Sequence, residues 1–237
     1  MIQRHILIFI ISILVHFSAN SQEQKQEQEK EQDSVKTKIN YAIRVGVDIS
    51  KPIISFLDQD SKGLELTGDM RIVNNYFAAV ELGFEDVLKT EDYINFTTKG
   101  SYIKLGVNYN AYDNWIGMNN QIYVGARYAF SFFEHTLNSY TPNVDGTYFI
   151  PDSVNAGTNF KDLNAHWLEF LFGMKVETFK NIFLGAQFSV KKMISTQEPE
   201  NFKNLYVPGF NRVFSNDLGI GFNYTISYNL PIFNKYK

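Results

Sequence analysis

The chain has 237 residues, an ordinary single-domain length, with a net charge of −3 and a pI near 5.8. That balance argues against a nucleic-acid binder, which carries a basic excess. It contains no cysteine, which excludes a disulfide framework, a thiolate metal site, a cysteine nucleophile and a lipid anchor on an N-terminal cysteine.

The start reads as an export signal. Arg4 and His5 give a weakly basic beginning, residues 6–15 form an apolar run broken only by Ser12, and Ser18-Ala19-Asn20-Ser21 offers small residues for cleavage after Ser21. The alternative, an N-terminal anchor, needs about 20 apolar residues, and this run is shorter. Residues 22–39 are rich in Gln, Glu and Lys. Such a stretch cannot bury enough apolar surface to offset its ordering entropy, so a disordered periplasmic segment is expected, and residues 40–237 remain as the folded domain.

From residue 41 onward the apolar residues recur every second position. Eight such segments are predicted as strands, at 41–49, 64–71, 76–85, 103–109, 122–132, 168–177, 184–191 and 218–228. Each is close to the length of a tilted strand crossing a bilayer. The 21 Phe and 14 Tyr fit the same reading, because flat side chains suit a pleated surface. The connections alternate in length. Val73-Asn74-Asn75 and Phe179-Lys180-Asn181 are short turns and 110–120 is of medium length, whereas 51–62, 87–97, 134–164 and 195–215 are long. Outer-membrane barrels place short turns on the periplasmic side and long loops outside. The expected fold is therefore all-β, an eight-stranded antiparallel up-and-down transmembrane barrel in the outer membrane of a Gram-negative bacterium.

A soluble ligand-binding barrel has the same alternation with its apolar face inward. The two faces differ in charge. One is nearly free of it, and the other holds Arg44, Asp48, Glu65, Asp69, Arg71, Glu81, Lys104, Arg127, Glu169, Lys175 and Lys191. Six basic and five acidic side chains inside a narrow barrel can pair with one another, and paired buried charge is tolerated where unpaired charge is not. This face reads either as a solute path or as a packed polar plug. Eight strands leave room only for side chains, which favours the plug. Tyr41, Tyr76, Tyr109, Phe132 and Tyr228 lie toward segment ends, as interfacial girdles would. The stretch 217–224 is similar to the terminal-strand signal read by the barrel-assembly machinery, the partner expected during insertion, with outer-membrane lipid as the partner thereafter.

The stretches 44–52, 164–169, 206–212 and 221–228 resemble an uncharacterised family of small bacterial outer-membrane barrels, defined only as a domain of unknown function. The resemblance spans about residues 41 to 232. It implies a fold and a compartment and supplies no catalytic residue.

Chemistry is sparsely signalled. Some eight-stranded barrels modify lipids, which takes a nucleophile, a base and an orienting group near the outer rim. Beyond the leader the only histidines are His135 and His166, with Ser131 or Ser139 and Glu134 or Glu169 as conceivable partners. A His-x-Ser spacing is absent, and His166-Trp167 reads more simply as a rim contact. Asp145, Asp152, Asn155 and Asn159 could offer oxygen ligands, but no calcium-loop spacing is present, and neither metal nor cofactor is expected. Tyr206, Phe210 and Arg212 in the last long connection form either a recognition surface or a segment folded back over the barrel. The function expected from sequence is a structural or loop-mediated binding role in the cell envelope. A lipid-modifying enzyme and a narrow pore are the alternatives.

Overall fold

The computed structural model describes residues 38–114, 118–142, 153–199, 203–214 and 216–236. The expected signal peptide and most of the tail after it, with Asp145 and Asp152, lie outside these residues. In chain order the elements are β1 (Lys38–Asp48), α1 (Ser50–Leu57), β2 (Ser61–Val73), β3 (Tyr76–Glu91), β4 (Ile94–Asn110), β5 (Gln121–Tyr140), β6 (Val154–Phe179), β7 (Ile182–Thr196), the two short strands β8 (Tyr206–Val207) and β9 (Asn211–Arg212), and β10 (Leu218–Tyr236). Eight of the strands close into a barrel in the order β1-β10-β7-β6-β5-β4-β3-β2, each beside its sequence neighbour, and β8 pairs with β9 alone. The architecture is thus the eight-stranded antiparallel up-and-down barrel expected from the periodicity.

The alternation sorts the side chains. Val45, Leu66, Leu82, Leu105, Val124, Phe172, Leu184 and Phe222, one from each barrel strand, are all more than a third exposed. The intervening positions of each strand point inward. Above this apolar band the outward positions become charged: Lys62, Asp86, Lys99 and Glu134 stand opposite one another across β2, β3, β4 and β5 with alternating sign. Toward the other end Tyr76 and Tyr109 face outward with ring centroids 5.1 Å apart. Along β4 ten residues separate Lys99 from Tyr109. At about 3.3 Å per residue and a tilt near 40°, the band is about 25 Å tall.

The turns at the tyrosine end follow from their residues. Asn74 and Asn181 take positive φ of 31° and 66°, a conformation Asn tolerates better than most side chains. At the other end two connections differ from expectation, and a third takes one of the two forms left open. Strands β3 and β4 run on to a two-residue turn at Asp92-Tyr93, where a long loop over 87–97 is predicted. β5 reaches Tyr140 and β6 starts at Val154, so most of 134–164 is strand as well. Beyond the band the outward positions turn charged or polar while Val87, Phe96, Thr98 and His135 stay buried on the inner face, so the outward apolar alternation disappears while the backbone ladder continues. There β6 pairs with β5 alone over residues 154–163 among the described residues, its first partner on β7 being Thr196 opposite Ala165. The connection between β7 and β10 folds back into the barrel mouth. Its Val207, Pro208, Gly209 and Phe210 are buried. Val207 and Phe210 complete an apolar cluster with Tyr102, Ala129, Phe133, Leu163, Trp167 and Met193.

Candidate functional site

The barrel interior is a charged, almost solid core beneath a plug. Glu65, Glu81 and Glu169 are carried inward by β2, β3 and β6, and all three converge on the ammonium of Lys104 from β4, at 3.3, 3.1 and 3.7 Å. Arg127 of β5 bonds Glu81 at 3.1 Å, and Lys191 of β7 lies 3.7 Å from Glu169. Neutral donors fill further lone pairs: the Tyr102 hydroxyl donates to Glu65 at 2.5 Å, the Trp167 indole N–H to Glu169 at 2.8 Å and the Asn223 amide to Glu65 at 3.1 Å. Nearer the tyrosine end Asp69 bridges Arg44, at 2.5 Å, and Lys175. Arg44 also bonds Gln121 at 2.7 Å, and its guanidinium lies 5.4 Å from the Phe77 ring centroid and 5.1 Å from that of Phe183.

Asp48 has no cationic partner among the described residues. Its charge is spread over the Ser50 N–H and Oγ–H, the Tyr224 N–H and the Asn223 amide, at 2.9, 2.7, 3.2 and 2.6 Å. Two other groups complete the set and are not in the predicted interior list. Glu85 on β3 shares the inward parity of Glu81 and pairs with Lys51, which comes from α1 just past the end of β1. Alternation along β3 extends to Glu85, so parity alone could have found it. Lys51 leaves no periodic trace because it sits on a helix. With it six bases balance six acids: Arg44, Lys51, Lys104, Arg127, Lys175 and Lys191 against Asp48, Glu65, Asp69, Glu81, Glu85 and Glu169. Arg71, also predicted inside, is half-buried, with its guanidinium 5.0 Å from the centroid of Phe77.

Inward glycines make this density possible. A Cβ on Gly83 would collide with the Tyr102 ring, which lies across it from the facing position on β4. Two small cavities lie among these side chains. A cavity of about 30 Å³ lies among Arg44, Arg71, Phe77, Gln121 and Phe183, and one of about 20 Å³ among Asp69, Glu81, Tyr123, Arg127 and Lys175. Each has room for a water or two.

The plug is fastened by the same charges. The Lys191 ammonium donates to the carbonyls of Gly209 and Phe210 at 2.7 and 3.3 Å. Glu85 accepts the Tyr206 hydroxyl at 2.8 Å and the Gly209 N–H at 3.2 Å. Burial, with the nearby Glu85 carboxylate, pushes the Tyr206 phenol well above its usual range, so it remains a donor. Phe210 meets Trp167 edge to face at 5.6 Å. Gly209 has φ +81° and lies against the Tyr102 ring, 2.6 Å from where a Cβ would be. Only glycine meets both demands.

Of the loop candidates, Tyr206 and Phe210 therefore serve the plug. Arg212 is exposed and lies 3.8 Å from Glu91. The histidines are kept apart by the pleat. His135 points inward, fully buried, with its Nδ1 2.7 Å from the Thr98 hydroxyl and packed on Phe96 and Phe133. His166 points outward, 2.7 Å from the Tyr128 hydroxyl and stacked on Phe130. Trp167 is not its rim companion. One residue on, it faces the core and is fully buried. Ser131 Oγ donates to the backbone carbonyl of Ser101 at 3.4 Å. Glu169, opposite in parity to His166, belongs to the ion network. Among the described residues no cluster of His, Asp and Glu could hold a metal ion.

Residues 5–235 match the family model described as a domain of unknown function, DUF6048. The chain belongs to this family. No curated relative matches it. Among solved structures the DUF6048 barrel is similar to Neisserial surface protein A (NspA), at 11% identity over 83% of this chain and 99% of that one, TM-score 0.41. It is also similar to Ail, the attachment invasion locus protein of Yersinia pestis, at 10% identity, 82% and 99% coverage and TM-score 0.39. A major outer membrane protein from Thermus thermophilus matches at 12% identity, 81% and 98% coverage and TM-score 0.40. These are likenesses of fold.

Proposed function

We propose that the protein is a sealed outer-membrane barrel that contributes to the envelope as a stable insert and through the sheet and loops it presents outside, with no solute path and no catalysis of its own. The observation that carries this reading is the continuous apolar outer face around all eight strands, about 25 Å tall, on a closed barrel. A face of that height and composition is what a bilayer requires. In water it would be an exposed apolar patch far larger than monomeric proteins carry. The soluble-barrel reading would need the charged face outside, and here the charges are inside, all but Asp48 of the six acids paired with a base. On this reading residues 1–21 act as the export signal and the last strand engages the assembly machinery.

The interior supports the absence of a path. Its bases and acids lie among one another, the two cavities described have room for a water or two, and its mouth is filled by its own chain. The test is heat modifiability of the membrane-fractionated protein on a denaturing gel. We expect a folded band in the outer-membrane fraction that shifts on boiling. A soluble, unshifted protein would overturn the proposal.

A further inference from the structure

One stretch of the barrel wall is not strand. β1 ends at Asp48, and the Ile49 N–H bonds the Tyr224 carbonyl at 2.7 Å. β10 continues upward from Tyr224 to Leu218, and β2 extends upward to Ser61. The two rims that flank β1 therefore outlast it, and α1 follows β1 there and packs against β2. Its polar side chains all turn to the barrel. Ser50 donates to Asp48, Lys51 pairs with Glu85 inside, and Ser55 Oγ accepts the Gly63 N–H of β2 at 3.1 Å, standing in for a ladder partner.

Lys51 and Ser55 are four residues apart and share one helix face. Ile53, Ile54, Phe56 and Leu57 occupy the others, at 52, 50, 87 and 77% exposure, and α1 buries none of its residues. Pro52 in the first turn costs the helix little. The level of α1 is set on both sides. It begins beside Tyr224, an outward residue of the apolar band, and reaches Gly63, one position below Lys62, where charge begins on β2. The four apolar side chains therefore lie at the height of the upper part of the band and continue its surface.

We infer that α1 is a lipid-facing segment of the wall, with Ile53, Ile54, Phe56 and Leu57 seated among acyl chains of the outer leaflet while Lys51 and Ser55 hold the helix to the barrel. The inference rests on the outer-membrane reading above. It adds that the wall is breached by a helix at one place, where lipid on one side and the Lys51–Glu85 pair on the other are separated by a single helix diameter. An amphipathic helix of this pattern partitions into the headgroup–acyl boundary, and here the barrel fixes its depth.

The chain has no cysteine, so single spin labels can be placed without other changes. The full mature chain in liposomes would carry Phe56→Cys, Phe222→Cys in the band, or Tyr93→Cys at the β3–β4 turn. Collision with oxygen, which concentrates in lipid, is compared with collision with a water-soluble nickel chelate. We expect the oxygen-to-nickel ratio at Phe56 to fall with that at Phe222, several-fold above that at Tyr93. A lipid-like value at Phe222 with a water-like value at Phe56 would overturn this inference and leave the outer-membrane reading standing. Water-like values at both would overturn the two together. Should Phe56→Cys fail to fold, Leu57→Cys reports on the same face and decides in the same way.

Discussion

Replacing Lys104 with methionine removes the one cation shared by Glu65, Glu81 and Glu169, and the three carboxylates do not suffer equally. Glu81 keeps Arg127 at 3.1 Å, and Glu169 keeps Lys191 at 3.7 Å with the Trp167 indole N–H at 2.8 Å. Glu65 keeps as direct partners, among the described residues, only the neutral donors Tyr102 and Asn223, with Lys51 acting at longer range. Breaking a buried pair by removing one partner costs about 3–5 kcal/mol, because the other charge stays buried without compensation. With an m-value on the order of 4 kcal/mol/M in guanidinium, that loss lowers the unfolding midpoint by about 1 M. The readout is the fraction of unboiled protein running as the folded band against denaturant. Adding Glu65→Gln to Lys104→Met removes the stranded charge and should restore most of the midpoint. Adding Glu169→Gln instead should restore little, because that carboxylate still has Lys191. An unchanged midpoint in Lys104→Met, or equal rescue by the two partners, would refute the assignment of the network.

Gly209→Val places a side chain where the Tyr102 ring lies and at a φ that valine rejects, so the plug should leave its seat. We expect trypsin to cut at Lys203 or Arg212 while the barrel keeps its heat shift. Lys191→Met should loosen the same segment to a smaller degree, since it removes two carbonyl contacts and leaves those of Glu85; equal protease resistance in both variants and the parent would count against the plug. Planar bilayers holding the parent protein should show no discrete conductance, and steady channel steps would contradict a filled interior. His166→Ala loses one hydrogen bond on the outer face, worth about 1 kcal/mol, and should leave envelope lipid profiles unchanged. An altered acylation pattern would revive the lipid-modifying reading for that residue.

Strand count and the sorting of charge to one face were legible because the pleat forces period two wherever the two sides of a sheet meet different media. Above the band the outward positions turn polar while Val87, Phe96 and Thr98 are buried inside, so the outward apolar period is lost and 87–97 reads as a loop although it forms a hairpin. The plug was half legible. Tyr206, Phe210 and Arg212 mark the last connection as a candidate, but no local pattern tells an exposed aromatic loop from one returning to its own barrel. That choice depends on Glu85, Lys191, Tyr102 and Trp167 meeting at one mouth, which is a property of the closed sheet. The separation of His135 from His166 could have been read from parity, since 135 follows the inward set and 166 the outward one. Lys51 could not, because a residue on a short helix answers to neither period.

The late start of the β6–β7 ladder bears on how these molecules tolerate crowding. Among the described residues its ladder with β7 begins only at Ala165, and a sheet margin that outlasts its neighbour invites another chain to add a strand. This one is interrupted. Gly157 and Asp162 have φ of +57° and +60°, and Lys161 and Asp162 bring exposed charge beside the second break. The β5 partner shifts register twice along the same span, between Phe133 and His135 and between Leu137 and Ser139. A straight incoming strand finds no long run of aligned donors and acceptors, so neighbouring copies are kept from fusing into a continuous sheet.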